Sequence, residues 1–107
     1  MKYWILVFGL VTIAVSTSRA QEGPVAIAIH GGAGTILPEN MTLDVEAQYR
    51  ETLERALQAG HAILTAGGPS VDAVVAAVQV MEESTLFNAG RGAVFTAEGT
   101  VELDASI

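Results

Sequence analysis

The sequence VAIAIHGGAG occupies residues 25–34, and it decides the class of fold that we expect. Its first half, Val25 to Ile29, is a continuous apolar run of strand length with no polar side, which is typical of a strand buried on both faces. Its second half begins at His30 and is a loop by composition, because it holds three glycines in five residues. The stretch therefore predicts a buried strand that leads directly into a glycine-rich loop.

Two helices are predicted after this loop. The first begins near Thr42 or Asp44, either of which can cap it, and it ends at residues 67–69, Gly-Gly-Pro. Its apolar residues recur at helical spacing and comprise Val45, Tyr49, Leu53, Ala56, Leu57, Ile63 and Leu64. The second helix is expected to have Ser70 as its cap. Its apolar stripe consists of Val71, Val74, Val75, Val78 and Met81. A helix with so little polar surface is expected to be well buried, beneath the first helix or against a sheet.

The remaining residues predict a glycine-rich loop over 82–92 and then a β-hairpin. Residues 93–96 form its first strand, and apolar and polar residues alternate from Thr100 to Ile107 in its second. No repeat or linker interrupts residues 21–107, which therefore belong to one domain. Three strands and two helices leave one sheet face uncovered, and nothing terminates the last strand. We therefore expect an α+β fold that is truncated, with this chain as its N-terminal part.

The N-terminus has the order of a secretory signal peptide. Lys2 precedes an apolar run of 13 residues, which is shorter than the roughly 20 residues that a membrane-spanning helix needs. Small residues at Ser18 and Ala20 mark a cleavage site. We expect cleavage after Ala20, so that residues 21–107 are exported to the periplasm or secreted, with no membrane anchor.

Charge and composition exclude several classes of function. Without residues 1–20, three Arg stand against 12 acidic residues, and the net charge changes from −7 to −9. Such a surface repels nucleic acid and anionic membranes. The chain has no Cys, which excludes thiol catalysis and cysteine-bound zinc. Its two histidines, His30 and His61, are too few for a typical histidine-rich metal site.

Two glycine-containing clusters are candidates for chemistry. In the first, Gly31 and Gly32 allow backbone N–H groups to approach a ligand or an oxyanion, and the same residues also suit a tight turn. This cluster is similar to the HGGG-type oxyanion loop of α/β-hydrolase esterases, which also requires a Gly-x-Ser-x-Gly elbow that these 107 residues do not contain. In the second cluster, Asn88 lies between Phe87 and two glycines, where its amide can either enter a site or stabilise a turn.

Four blocks of sequence are more specific together than any is alone. They are AIHGGAGTI at 28–36, AGGPSVDAV at 66–74, MEESTLFNAGRGAVFT at 81–96 and ELDASI at 102–107. Their order and spacing resemble those of the isoaspartyl peptidase and plant-type L-asparaginase family, and the resemblance covers essentially all of residues 25–107.

The resemblance implies part of a four-layer αββα sandwich of the N-terminal nucleophile hydrolase type. It implies a precursor that cuts itself, so that the new N-terminal Thr of a downstream β chain becomes the nucleophile and its α-amine the base. The implied substrates are L-asparagine and β-aspartyl (isoaspartyl) dipeptides, the implied assembly is a dimer of αβ units, and no organic cofactor is implied. The nucleophile is not in this chain. Gly99-Thr100 is similar to the self-cleavage junction but falls in the predicted hairpin.

The resemblance also implies supporting site residues. Asn88 matches the Asn that reaches the catalytic Thr, and Gly31 and Gly32 match the loop behind that Thr. A structural sodium ion is implied as well, held only by backbone carbonyl oxygens, which suit a hard cation. By position these carbonyls belong to Met81, Glu82, Ser84, Phe87, Ala89 and Arg91. Arg91 departs from the apolar residue expected there and brings a positive side chain close to the cation.

Two other functions stay open on the sequence alone. One is a non-catalytic exported protein that kept the scaffold and lost the site. The other is an esterase-type hydrolase that uses His30-Gly31-Gly32 as an oxyanion loop. The sequence beyond Ile107 distinguishes the three functions. A Gly-Thr junction there would support the amidohydrolase, and its replacement would support the non-catalytic protein. A Gly-x-Ser-x-Gly elbow would support the esterase.

Overall fold

The computed structural model describes residues 23–32, 37, 39 and 41–107. Its elements are helix α1 (Leu43–Thr65), helix α2 (Ser70–Glu82) and a 3-10 helix at Gly90–Gly92. The predicted signal peptide, residues 1–20, lies outside the described residues. Within the part of the chain that is described, neither helix combines the length and apolarity needed to cross a membrane.

Helix α1 begins where the sequence predicts. Thr42 has an extended backbone, and its side chain accepts a hydrogen bond from the Val45 N–H at 3.3 Å. Asp44 and Glu46 lie in the first turn, where negative charge is favourable at the positive end of the helix dipole. Of the two predicted cap residues, Thr42 and Asp44, it is therefore Thr42 that caps the helix. The predicted apolar stripe of α1 is confirmed, because each of its seven residues is buried or half-buried.

The predicted end of α1 is also confirmed. Gly67 has φ +77°, which favours glycine, and its N–H donates to the Leu64 carbonyl at 3.0 Å. The Gly68 N–H donates to the Ile63 carbonyl at 2.8 Å. This pair of bonds is a Schellman motif, which satisfies the last carbonyls of the helix.

The prediction that Ser70 caps α2 is wrong. Ser70 is the first helical residue, Pro69 holds the cap position with φ −65° and ψ 145°, and no side chain bonds to this end. The helix begins one residue earlier than predicted because the proline ring already fixes a backbone conformation suited to the cap.

Helices α1 and α2 cross closely because small residues lie between them. Ala56, Ala73 and Ala77 are at most 2% exposed. A Cβ atom on Gly60 would lie 2.8 Å from the Ala73 carbonyl oxygen and 3.3 Å from the Ala77 Cβ. The side chain of Ile27 also contacts this position. Gly60 therefore sets the distance between the two helix backbones.

An aromatic pair joins the loop after α2 to α1. The rings of Tyr49 and Phe87 meet edge to face at 90°, with centroids 5.5 Å apart, a favoured geometry for aromatic pairs. The Tyr49 hydroxyl donates to the Leu86 carbonyl at 2.6 Å. This contact fixes the loop that contains Asn88 against the first half of α1.

The prediction that the valine stripe of α2 is buried is wrong for the described structure. Its four valines, here called the valine face, are 37–53% exposed: Val71, Val74, Val75 and Val78. Helix α2 packs on α1 through Ala73 and Ala77 instead. Alanine side chains allow two helix backbones to approach more closely than valine side chains do, so α2 packs on α1 with the face that carries Ala73 and Ala77.

The predicted strands are not formed among the described residues. In the first, Ile27 and Ile29 are half-buried while Val25, Ala26 and Ala28 are exposed, so burial on both faces is contradicted. A strand needs a backbone partner along its length, and no β ladder occurs within residues 23–32 or 41–107.

Only the turn of the predicted hairpin is present. The Thr96 N–H donates to the Thr100 carbonyl at 2.8 Å, and the Gly99 N–H donates to the Thr96 carbonyl at 3.0 Å. No ladder continues on either side of this turn in the described structure. The regular elements among the described residues are therefore all helical, and the four-layer sandwich stays a prediction.

Candidate functional site

The two glycine-containing clusters lie next to each other. A Cβ atom on Gly31 would be 3.1 Å from Cε1 of Phe87 and 3.3 Å from Cδ2 of Leu53. Phe87 is only 6% exposed, and Asn88 follows it directly. The structure thus brings Gly31 and the Asn88 loop, 57 positions apart in sequence, together beside the first half of α1.

The glycine loop is held by its own histidine. The Gly32 N–H donates to Nδ1 of His30 at 3.1 Å, and Gly32 has φ +105°. This bond occupies the Gly32 N–H, which an esterase-type oxyanion loop would need free for the substrate oxygen. The local geometry therefore favours a backbone-shaping role for His30-Gly31-Gly32.

Asn88 is anchored by a main-chain contact that sequence reasoning missed. Its Oδ1 accepts a hydrogen bond from the Val94 N–H at 3.0 Å. The separation of six residues is longer than the usual Asx turn, so no local sequence signal pointed to Val94. The bond spans the 3-10 helix Gly90–Gly92 and closes the loop around it.

A cavity of about 370 Å³ lies beside Asn88. It is bounded by the end of α2, the Asn88 loop and the last residues of the chain. Its lining includes Glu82, Asn88, Val94, Glu102, Leu103 and Asp104. The lining therefore includes one amide residue and three acidic residues, one from the end of α2 and two from residues 102–104.

Two of the carbonyls that were predicted to hold a cation lie directly against glycines of the loop. The Glu82 carbonyl oxygen is the atom nearest to the position that a Cβ on Gly90 would take, and the Phe87 carbonyl oxygen is nearest to that position on Gly92. The Thr85 carbonyl oxygen lies 2.9 Å from the same point on Gly92. Both glycines are therefore packed directly against backbone carbonyl oxygens of this loop, where a side chain has no room.

The other predicted ligands shape the same loop. The Met81 carbonyl accepts from the Ser84 N–H at 3.1 Å, the Phe87 carbonyl from the Ala89 N–H at 2.8 Å, and the Ala89 carbonyl from the Gly92 N–H at 3.0 Å. A carbonyl oxygen has two lone pairs, so these bonds leave one for a cation. No group of three His, Cys, Asp or Glu side chains that could hold a metal occurs in the part of the chain that the structure describes.

Arg91 does not carry an unbalanced charge beside this loop. Its guanidinium lies 3.4 Å from the Glu83 carboxylate, and both side chains are about 70% exposed. An ion pair this exposed contributes little to stability. Its effect is local, because Glu83 offsets the positive charge that the sequence places next to the carbonyls.

Thr100 is part of the turn described above. Its hydroxyl lies 2.9 Å from the Thr96 hydroxyl, and its N–H donates to that same oxygen at 3.3 Å. These contacts agree with the prediction that Thr100 is a turn residue.

Comparison with known proteins gives a consistent result. A family model described as asparaginase matches residues 23–107. The isoaspartyl peptidase of Escherichia coli (strain K12) is 48% identical over 85 residues, which is 79% of this chain and 26% of that protein. The isoaspartyl peptidase/L-asparaginase of Mus musculus is 38% identical over 96 residues, covering 90% of this chain and 28% of that protein. The plant-type L-asparaginase of Pyrococcus abyssi is 46% identical over 83 residues, which is 78% of this chain and 26% of that protein. The chain spans about a quarter of the length of these relatives.

Proposed function

This chain belongs to the asparaginase family, and from that membership we propose that it is the N-terminal part of an amidohydrolase precursor. The complete protein hydrolyses the side-chain amide of L-asparagine, the β-aspartyl bond of isoaspartyl dipeptides, or both. The observation that carries the proposal is the contact between Gly31 and Phe87. It places the glycine loop and the Asn88 loop, which the resemblance assigns to one site, side by side.

The reaction is performed by a residue downstream of Ile107. We propose that the precursor cuts itself there and frees a Thr whose hydroxyl attacks the amide carbonyl while its own α-amine takes the hydroxyl proton. In this scheme Gly31 and Gly32 shape the backbone behind that Thr. Asn88 contributes its amide to the same site.

We also propose a structural sodium ion in the loop after α2. The ligands are the backbone carbonyls of Met81, Glu82, Ser84, Phe87, Ala89 and Arg91, a set of hard oxygen donors. The support is limited to the loop itself, in which Gly90 packs against the Glu82 carbonyl and Gly92 against the Phe87 carbonyl. The ion holds the loop in shape and takes no part in proton transfer.

The sodium site has a direct test with a matched control. Gly92→Ala inserts a Cβ against the Phe87 and Thr85 carbonyls and should abolish the rise in thermal midpoint that sodium gives over choline. Gly23→Ala, where nothing lies within 4 Å, should keep that rise. Equal midpoints in sodium and choline for the unchanged protein would refute the site.

The fold of the complete protein follows from the same proposal. Helices α1 and α2 form one outer layer of an αββα sandwich, and the valine face packs on the adjacent sheet. Burying a valine contributes about 1.5–3 kcal/mol, so four exposed valines support such a partner. The β chain supplies that sheet, and two αβ units form a dimer.

We propose further that the protein is exported, with residues 1–20 as a cleaved signal peptide. The mature chain then begins at Gln21 in the periplasm or outside the cell.

The test of function compares two forms of the protein. The complete precursor should release ammonia from L-asparagine or aspartate from β-aspartyl dipeptides, whereas residues 21–107 alone should be inert, because they hold no activated nucleophile. Thr100→Ala in the precursor should leave self-cleavage intact. A precursor that is stable, uncut and inactive on both substrates would instead indicate the non-catalytic scaffold protein.

A further inference from the structure

Tyr49 on helix α1 makes two contacts with the loop that carries Asn88. Its hydroxyl donates to the Leu86 carbonyl at 2.6 Å, and its ring meets the Phe87 ring edge to face with centroids 5.5 Å apart. We infer that Tyr49 is a positioning residue, which acts through Phe87 and sets the place of Gly31. This inference rests on the proposed function, because the glycine loop and the Asn88 loop are the two parts of the proposed site that this chain supplies.

The two contacts of Tyr49 restrain adjacent residues of the loop. Edge-to-face aromatic pairs tolerate a range of ring positions, so the ring contact alone would leave Phe87 free to slide along Tyr49. The hydrogen bond removes that freedom, because it ties the main chain of Leu86, the residue immediately before Phe87, to the end of the same side chain. Tyr49 and Leu86 are both half-buried, where a hydrogen bond is stronger than in open water.

Phe87 passes this restraint on to Gly31. A Cβ atom on Gly31 would lie 3.1 Å from Cε1 and 3.8 Å from Cδ1 of Phe87, and 3.3 Å from Cδ2 of Leu53. Leu53 follows Tyr49 by four positions and therefore lies on the same side of α1. Phe87 is 6% exposed, and a closely packed side chain has no empty space to move into. A displacement of its ring is therefore transmitted to Gly31.

Gly31 depends on such packing more than another residue would. Glycine has the widest backbone freedom of the amino acids, and two glycines follow one another in this loop. Gly32 is held by the bond from its N–H to Nδ1 of His30 at 3.1 Å. The restraint that the structure shows at Gly31 is packing, with Phe87 as the nearest neighbour. A shift of the Phe87 ring therefore changes the backbone of the glycine loop.

A spectroscopic measurement follows the restraint directly. Tyr49→Phe in the complete protein removes the hydroxyl and keeps the ring. With isotope-labelled glycine, the NMR amide signal of Gly31 should shift, because the Phe87 ring that lies against it moves. The signal of Gly67 should stay in place, since Gly67 lies just beyond the far end of α1 and nothing stands within 4 Å of a Cβ built on it. An unmoved Gly31 signal, or an equal shift of both signals, would overturn the positioning role.

The rate of self-cleavage separates positioning from stability. Tyr49→Phe and Thr42→Ala each remove one hydrogen bond of α1 and are expected to lose similar stability. The Thr42 side chain bonds to Val45 at the start of the helix and not to the Asn88 loop. Tyr49→Phe should slow self-cleavage of the precursor about 10-fold, whereas Thr42→Ala should leave its rate unchanged. Equal rates in the two variants would show a merely structural role and refute the inference.

The two measurements also distinguish this inference from the proposed function. A precursor that never cuts itself overturns the proposed function, and the Gly31 signal of Tyr49→Phe then still decides whether Tyr49 positions the glycine loop. A precursor that cuts itself equally fast with and without the Tyr49 hydroxyl leaves the proposed function in place and overturns the inference.

Discussion

Replacing Gly60 by Ala measures how tightly α1 and α2 are packed. The added Cβ would lie 2.8 Å from the Ala73 carbonyl oxygen, closer than such atoms approach in real structures, and that oxygen cannot move without α2. Overpacking of this kind costs about 1–3 kcal/mol. Alanine also favours the helix over glycine by about 1 kcal/mol. The two effects oppose each other, and we expect a net loss of about 1 kcal/mol in the free energy of unfolding.

The assay is urea unfolding of the purified protein, followed by circular dichroism and fitted for midpoint and slope. Ala47→Gly is the control, because Ala47 is exposed on the same helix and its substitution should report only the propensity difference of about 1 kcal/mol. If Gly60→Ala instead raised the free energy of unfolding by the amount that Ala47→Gly lowers it, the close packing of α1 against α2 at Gly60 would be refuted.

Three further results are expected. Tyr49→Phe should lower the free energy of unfolding by about 1 kcal/mol, because it leaves the Leu86 carbonyl without its 2.6 Å donor; a value unchanged in urea unfolding would contradict this. Thr42→Ala should cost about 1 kcal/mol by the same measurement, through loss of the cap on Val45, and Thr42→Ser should restore it. N-terminal sequencing of the mature protein should begin at Gln21, and an intact Met at the N-terminus of the mature protein would contradict export.

The helices were predictable because their ends are encoded locally. Thr42 bonds to a residue three positions away, and Gly67 and Gly68 close the last turn on residues within the same helix. These signals act over a few residues and need no tertiary partner. The Ser70 prediction failed for a related reason, since Pro69 competes for the same position.

The strands were not predictable from local sequence in the same way. An apolar run such as Val25 to Ile29 is compatible with a strand, but the ladder bonds must come from another segment. The turn at Thr96 and Thr100 forms because its bonds are local, whereas the strands on either side have no partner among the described residues.

The candidate site was predictable in its parts but not in its geometry. The blocks around Gly31 and Asn88 were identified from the sequence, while their contact through Phe87 is a tertiary fact. The Val94 bond to Asn88 gives no sequence signal, because any residue except proline supplies the same N–H.

The helical pair has a consequence for the order in which the chain folds. Its contacts join residues within 43–82, a single unbroken stretch, and contacts that are local in sequence form fastest. Ribosomes add about 5–20 residues per second, far slower than a helix forms. The pair can therefore form without waiting for the turn at Thr96 and Thr100. Until a partner covers it, the valine face points into solvent, and it is the surface on which we expect a chaperone to act before the complete protein has folded.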